Sequence, residues 1–276
     1  MPAGERFVSL TLAYNQQDYI EDCLRSLAPS CDAMIVMHSE VPFTRYNQNA
    51  RRESFVPDAT GSILSRLERE FHQLVVIHGE WASEEDMRNA GLENARRLAA
   101  HYLLIVDADE FYNSGDLLKA QLHIASHPGY DSWWCKMRVP FKYHNYVVNR
   151  ENEYLPVALN LSSRATFTNR RIPDGTRLGL PPEIICFNMG FVLPDERMYE
   201  KTRTWSHFKE LPPHWYREKW LGWTPSTRNL HTRVPELWPG TRLFNPGELP
   251  EGLWRHSLAT ALESGLRESR LRSRTR

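Results

Sequence analysis

Tyr102-Leu103-Leu104-Ile105-Val106 runs without a break into Asp107-Ala108-Asp109-Glu110. So short an apolar run reads as a strand buried on both faces. The acids stand at its carboxyl end. Two carboxylates two residues apart can face the same side. That close, they repel one another unless a cation lies between them. Hard divalent ions such as Mg²⁺ and Mn²⁺ take oxygen ligands, and Mg²⁺ is often held by carboxylates together with substrate phosphates. An acidic turn after a strand also arises by chance, so its neighbours must decide its meaning.

Upstream, strand-like and helix-like segments alternate. Residues 7–13 (FVSLTLA) are short, apolar and β-rich, and end at Tyr14-Asn15. Residues 18–27 have helical spacing, with Ile20, Leu24 and Leu27 on one face. Asp18 is placed to cap that helix, with Glu21 completing a capping box, and Pro29 helps to stop it. Residues 33–37 form a second strand, 62–71 a helix and 74–77 a third strand. A long helix follows Ser83, with Glu84, Glu85 and Asp86 at its positive end. This alternation predicts a parallel sheet covered on both sides. Ligands of such sheets bind at the carboxyl ends of the strands. Tyr14-Asn15, His38-Ser39, Gly79-Glu80-Trp81 and Asp107-Ala108-Asp109 are therefore expected to meet in one crevice.

Downstream the pattern is less regular. Residues 133–139, 157–161 and 183–192 read as strands, Pro212-Pro213 as a boundary and 216–223 as a short helix. Residues 224–250 are rich in Pro, Trp and Arg. Residues 253–271 read as a helix ending in Arg270, Arg272, Arg274 and Arg276. Such a tail is either a solvated end or a basic hook for lipid, nucleic acid or a partner. Nine tryptophans occur, eight of them after residue 130. They either pack a core or offer flat faces to a sugar or base.

Composition narrows the class. The chain has 276 residues, 41% hydrophobic and 25% charged, as expected of a folded globular protein. Lys+Arg and Asp+Glu are equal at 34, which excludes a chain-wide electrostatic grip on nucleic acid. No apolar run approaches the ~20 residues of a membrane span, and the N-terminus lacks a signal peptide's apolar segment. The expectation is a cytoplasmic protein, reaching any membrane-bound acceptor peripherally. Cys23, Cys31, Cys135 and Cys186 lie far apart and read as reduced thiols. No phosphate loop, dinucleotide fingerprint, HExxH or GxSxG motif occurs.

Three segments in order, VSLTLAYN at 8–15, RNAGL at 88–92 and VDADEF at 106–111, together resemble the motifs of family 2 glycosyltransferases. The resemblance is strong over about residues 6–125. It implies a GT-A fold: α/β, Rossmann-like, with a mixed central sheet. Residues 1–125 would hold a nucleotide-sugar donor and 126–210 the acceptor. Residues 211–276 would form an extension closing over the acceptor. It further implies inverting transfer from a UDP-linked or similar donor, with Mn²⁺ or Mg²⁺ as cofactor. Asp109 would bind the ion, and Asp107 would touch it or the ribose. Ala13, Tyr14, Asn15, His38, Trp81 and Arg88 would hold the nucleotide.

A later segment, NMGF at 188–191 followed by Pro194, Arg197 and Lys201, is similar to one in which relatives carry His-x-Gly-Tyr. Here Asn188 replaces that His, and His207 is the expected substitute as third metal ligand. Glu183 is the expected general base, with Asp174, Asp195 and Glu110 as alternatives. The acceptor could be a saccharide, a lipid-linked glycan, a protein or a modified nucleic-acid base. Two other readings compete: a non-catalytic nucleotide-sugar or sugar-binding protein, and a nucleotidyltransferase. The latter usually has a Gly- and Lys-rich loop after the first strand, where this chain has Tyr14-Asn15-Gln16-Gln17.

Overall fold

The computed structural model describes residues 4–43, 45, 56–113, 115–150, 153–207 and 210–253. The predicted C-terminal helix and its arginines lie almost entirely outside them.

Four strands build a parallel half-sheet: β1 (Phe7–Ala13), β2 (Ala33–His38), β3 (Leu74–His78) and β4 (Tyr102–Ile105). Their spatial order is β3-β2-β1-β4, with every neighbouring pair parallel. Helices α1 (Ile20–Leu27), α2 (Thr60–Glu70) and α3 (Glu84–Arg97) connect them. Apolar residues alternate between two cores. Leu104 and Val106 join the core that contains α1 and α2 residues, while Leu103 and Ile105 join the one that contains α3 residues. The predicted doubly covered strand is thus the observed one.

Helix α3 starts where its sequence says it should. The Ser83 Oγ accepts from Asp86 N at 3.2 Å, and three acids fill the first turn. Gly91 lets α3 lie close on β1, since a Cβ there would stand 2.3 Å from Leu10 Cδ1. Helix α1 departs from expectation. Its N-cap is Tyr19 with no side-chain bond, because the Asp18 carboxylate instead accepts from Arg197 at 2.9 Å.

The second half extends the sheet with both antiparallel and parallel pairs. It comprises β5 (Glu110–Phe111), α4 (Asp116–Ala125), β6 (Ser132–Arg138), β7 (Pro140–Phe141), β8 (Tyr143–Val148) and β9 (Tyr154–Asn160). There follow β10 (Phe167–Asn169), β11 (Ile172–Pro173), β12 (Arg177–Gly179), β13 (Ile185–Asn188), α5 (Asp195–Thr204) and β14 (Thr241–Leu243). The full order is β3-β2-β1-β4-β9-β6-β13-β5, with β12 also on β6. Strand β9 runs antiparallel to β4 and β6, making the sheet mixed. The strand predicted over 183–192 shrinks to β13, because Gly190 and its neighbours turn toward the acidic loop. The predicted helix at 216–223 is a π-type turn, Tyr216–Leu221.

Most of the late tryptophans pack. Phe141 is the centre of an aromatic cluster, with Trp215, Trp220, Trp223 and Trp238 rings at 5.6–6.4 Å. All four cysteines are buried and free. Among the described residues, no helix is long and apolar enough to cross a membrane.

Candidate active site

Strand β4 delivers the acidic turn into the middle of the sheet. There the turn meets three cations. Asp107 accepts from Arg88 Nη2 at 2.8 and 3.0 Å, and from Arg171 Nη1 at 2.9 Å. Arg88 is 1% exposed and also bonds Glu84, one turn earlier on α3, at 2.9 Å. Arg171 comes from the β10–β11 hairpin. It donates to Glu110, to the Ile105 carbonyl at 2.8 Å and to the Pro156 carbonyl at 2.9 Å. Burial alone would raise the Asp107 pKa, but Arg88 and Arg171 outweigh it and hold the carboxyl below its ordinary value. For Glu110 burial wins and its pKa is raised, despite Arg171. The third cation is Lys201 of α5, whose Nζ lies 3.2 Å from Asp109 Oδ2 and 3.0 Å from the Gly190 carbonyl.

The turn after β1 lies beside this centre. Asn15 adopts a left-handed backbone with φ +51°, open to the short polar residues that tolerate it. Arg197 of α5 pins the turn, donating to the Asn15 carbonyl at 2.9 Å and to Asp58 at 2.6 Å. Gln16 N donates to Thr60 Oγ1 at 2.8 Å. Burial pushes the Tyr14 phenol up to about 12, so it stays a neutral donor.

A cavity of about 500 Å³ joins these parts. Ala13, Tyr14, Asn15, Arg88, Asp107, Asp109 and His207 line it. His38, Trp81 and Glu183 are not among its lining residues. The sheet order explains the first two: β2 and β3 lie outboard of β1, away from β4. The His38 and His78 rings face each other on paired strands, Nδ1 to Nδ1 3.0 Å. The Trp81 ring folds over Gly79, where an added Cβ would stand 2.8 Å from it. Glu183 is exposed on the loop before β13, where its charge acts on Lys119 and His123 of α4. Asp174 accepts from Thr166 N and Asp195 from Trp220 Nε1, and neither lines the cavity.

Another carboxylate does line it. Glu153, just before β9, accepts from Trp238 Nε1 at 3.1 Å and pairs with Arg150 at 3.4 Å. Burial raises its pKa above the ordinary carboxylate value, against the pull of Arg150 and Trp238. Trp134, Trp205, Phe191 and His231 share that wall. Sequence reasoning missed Glu153, Arg171 and Lys201 as site residues. For Arg171 no local signal existed. Lys201 lay within a segment flagged by resemblance alone.

A divalent ion at the acidic turn needs oxygen or imidazole ligands that are free to coordinate. Here Asp107 is paired with two guanidinium groups and Asp109 with an ammonium. His207 Nδ1 lies 3.1 Å from Glu210 and 3.2 Å from Arg233 Nη1. Asn188 uses both ends of its amide, accepting from Gly190 N and donating to Glu110. Among the described residues, no three His, Cys, Asp or Glu side chains are grouped to hold a metal. The ligand set Asp107, Asp109 and His207 is therefore not assembled, and the residues present do not fit the ion.

No family profile and no curated protein matches the chain. Solved structures resemble it. TarS from S. aureus is similar over 71% of this chain, at 17% identity and a TM-score of 0.44. The match covers 38% of TarS, and 62% of its 1–349 form, so this chain spans less than two thirds of either. The mannosyltransferase PcManGT from Pyrobaculum calidifontis, in complex with GDP-Man and Mn²⁺, is 15% identical over 72% of this chain and 60% of its own, with a TM-score of 0.45. A 4-diphosphocytidyl-2C-methyl-D-erythritol synthase from Anaerococcus prevotii is 12% identical over 71% of this chain and 94% of its own, with a TM-score of 0.41. These are likenesses of fold alone. The chain's own sheet order is that of the GT-A-like α/β fold expected: a parallel half ending on the acidic turn, then a mixed half.

Proposed function

We propose that the chain is a glycosyltransferase. It moves a sugar from a nucleoside-diphosphate donor, UDP-linked by the family resemblance, to an acceptor hydroxyl with inversion. One observation carries this reading. A single cavity runs from the β1 turn, past the acidic turn and its three cations, to an aromatic wall holding Glu153. Residues 1–125 bind the donor, 126–210 the acceptor, and the segment from 211 closes the acceptor end.

In this scheme Tyr14 and Asn15 position the nucleotide. Arg88 and Lys201 face the diphosphate. The acceptor oxygen attacks the anomeric carbon from the face opposite the diphosphate. As the new C–O bond forms, the bond to the phosphate oxygen breaks and its electron pair leaves with the diphosphate. Glu153 takes the acceptor's proton, and its raised basicity suits that role. Fixed donors at the departing charge supply most of the rate enhancement, since they need no reorganisation.

The test is a thermal-shift panel of nucleotide sugars, then transfer assays with the best donor. A bound donor raises the melting temperature. Release of nucleoside diphosphate on adding an acceptor is the expected result. If no nucleotide sugar shifts the melting temperature, the reading fails. Pyrophosphate release from a nucleoside triphosphate would establish nucleotidyl transfer instead.

A further inference from the structure

We infer that Lys201 is a built-in replacement for the divalent cation, so that the donor binds and reacts without a metal ion. This rests on the glycosyltransferase reading above. It concerns how one charge in that site is supplied.

The ammonium is held on several sides. Asp109 Oδ2 is 3.2 Å away and the Gly190 carbonyl 3.0 Å. The Phe191 and Trp205 ring centroids lie 5.7 and 5.9 Å from Nζ, within reach of a cation–π attraction. Gly190 makes the arrangement possible. A Cβ at that position would stand 2.5 Å from Asp109 Oδ2, 2.6 Å from Lys201 Nζ and 3.0 Å from Asn188 Oδ1. Any larger residue would break the contact between α5 and the acidic turn.

The surrounding charge agrees. Glu84, Asp107, Asp109 and Glu110 bring four carboxylates to the turn, and Arg88, Arg171 and Lys201 bring three fixed cations. Each acid in the group has a cationic partner within 3.2 Å. A dication would have to displace Lys201 while facing two buried guanidinium groups already paired with Asp107. Lys201 has no such conflict. An ammonium carries three N–H donors, and two are used by the bonds described. Lys201 lines the cavity. Its third N–H is thus available to a diphosphate oxygen. A purely structural ion pair would need neither the cavity wall nor the spare donor.

The experiment titrates UDP and GDP calorimetrically into the full chain, once in EDTA and once in Mn²⁺. The expected result is binding of one of them with the same affinity in both. Lys201→Met should weaken that binding in EDTA by about tenfold or more, the loss of a charged hydrogen bond. Mn²⁺ should then restore part of it, because Asp109 is freed. Lys201→Arg should keep metal-free binding. Wild-type binding that requires Mn²⁺ overturns the inference and leaves the transferase reading intact, and so does a Lys201→Met protein that binds normally in EDTA. Should Lys201→Met fail to fold, the wild-type pair of titrations still decides. Absence of binding of either nucleotide in both conditions overturns the inference, and a nucleotide-sugar panel without a thermal shift overturns the transferase reading itself.

Discussion

The two halves of the sheet reach the same cavity by different routes. In the parallel half, each strand and helix is encoded locally. Apolar runs, a serine cap and helical spacing place the acidic turn before any long-range contact is considered. In the mixed half, the site residues arrive through tertiary contacts. Arg171 crosses from a hairpin to a turn 64 residues away, and Lys201 crosses 92 residues to Asp109. The first half supplies the carboxylates and Arg88, and the second supplies the further cations Arg171 and Lys201. Chemistry of the proposed kind therefore belongs to neither half alone. A substitution in one should be read out in the other.

The largest effect is expected at Glu153. Glu153→Gln keeps the Trp238 contact in shape but removes the proton acceptor. Transfer should slow by about 10²- to 10⁴-fold while the donor dissociation constant holds steady. The base must be deprotonated to work, and burial raises its folded pKa. The wild-type rate should therefore climb with pH through a value above that of an ordinary glutamate, and this limb should vanish in the variant. A kcat–pH profile with the limb unchanged in Glu153→Gln would assign the base elsewhere.

Arg171→Met addresses the link between the halves. Met resembles the aliphatic part of arginine but leaves Asp107 and Glu110 with one cation fewer in a buried site. Removing one partner of a buried charge group costs about 3–5 kcal/mol. Urea unfolding should show that loss, together with weakened donor binding. A protein of full stability would mean that the hairpin merely lies against the first half.

Much of this was legible in the sequence, and unevenly so. Residues 7–13, 84–97 and 102–105 could be placed because each carries its own signal: an apolar strand, a capped helix, a run covered on both faces. Asp107 and Asp109 followed from where β4 must end. His38 and Trp81 were misplaced because chain order does not give strand order, and the cavity forms beyond β4 rather than over β2. Glu183 was misplaced because only four residues of the predicted 183–192 strand pair, leaving the glutamate on an exposed loop. Glu153 sits in a polar stretch without periodicity, and its raised pKa arises from burial by the fold closing around it. No window of local sequence contains that information. Arg171 and Lys201 were invisible for the same reason: a cation's partner is chosen by the fold, not by its neighbours in the chain.

The smallest effect tests the local half on its own terms. Ser83 caps α3 by accepting from Asp86 N, and its hydroxyl donates to the Asp86 carboxylate at 2.8 Å. Ser83→Ala removes both bonds. Losing a cap of this type typically costs about 1 kcal/mol. Helix α3 carries Arg88 one turn further on, yet Arg88 is held independently of the cap by Asp107, and α3 still packs on β1 through Gly91. The expected outcome is a small loss in urea stability with donor affinity unchanged. A collapse of donor affinity in Ser83→Ala would show that the α3 N-terminus, rather than the ion pair with Asp107, sets the position of Arg88. The division of labour between the halves would then have to be redrawn around that helix.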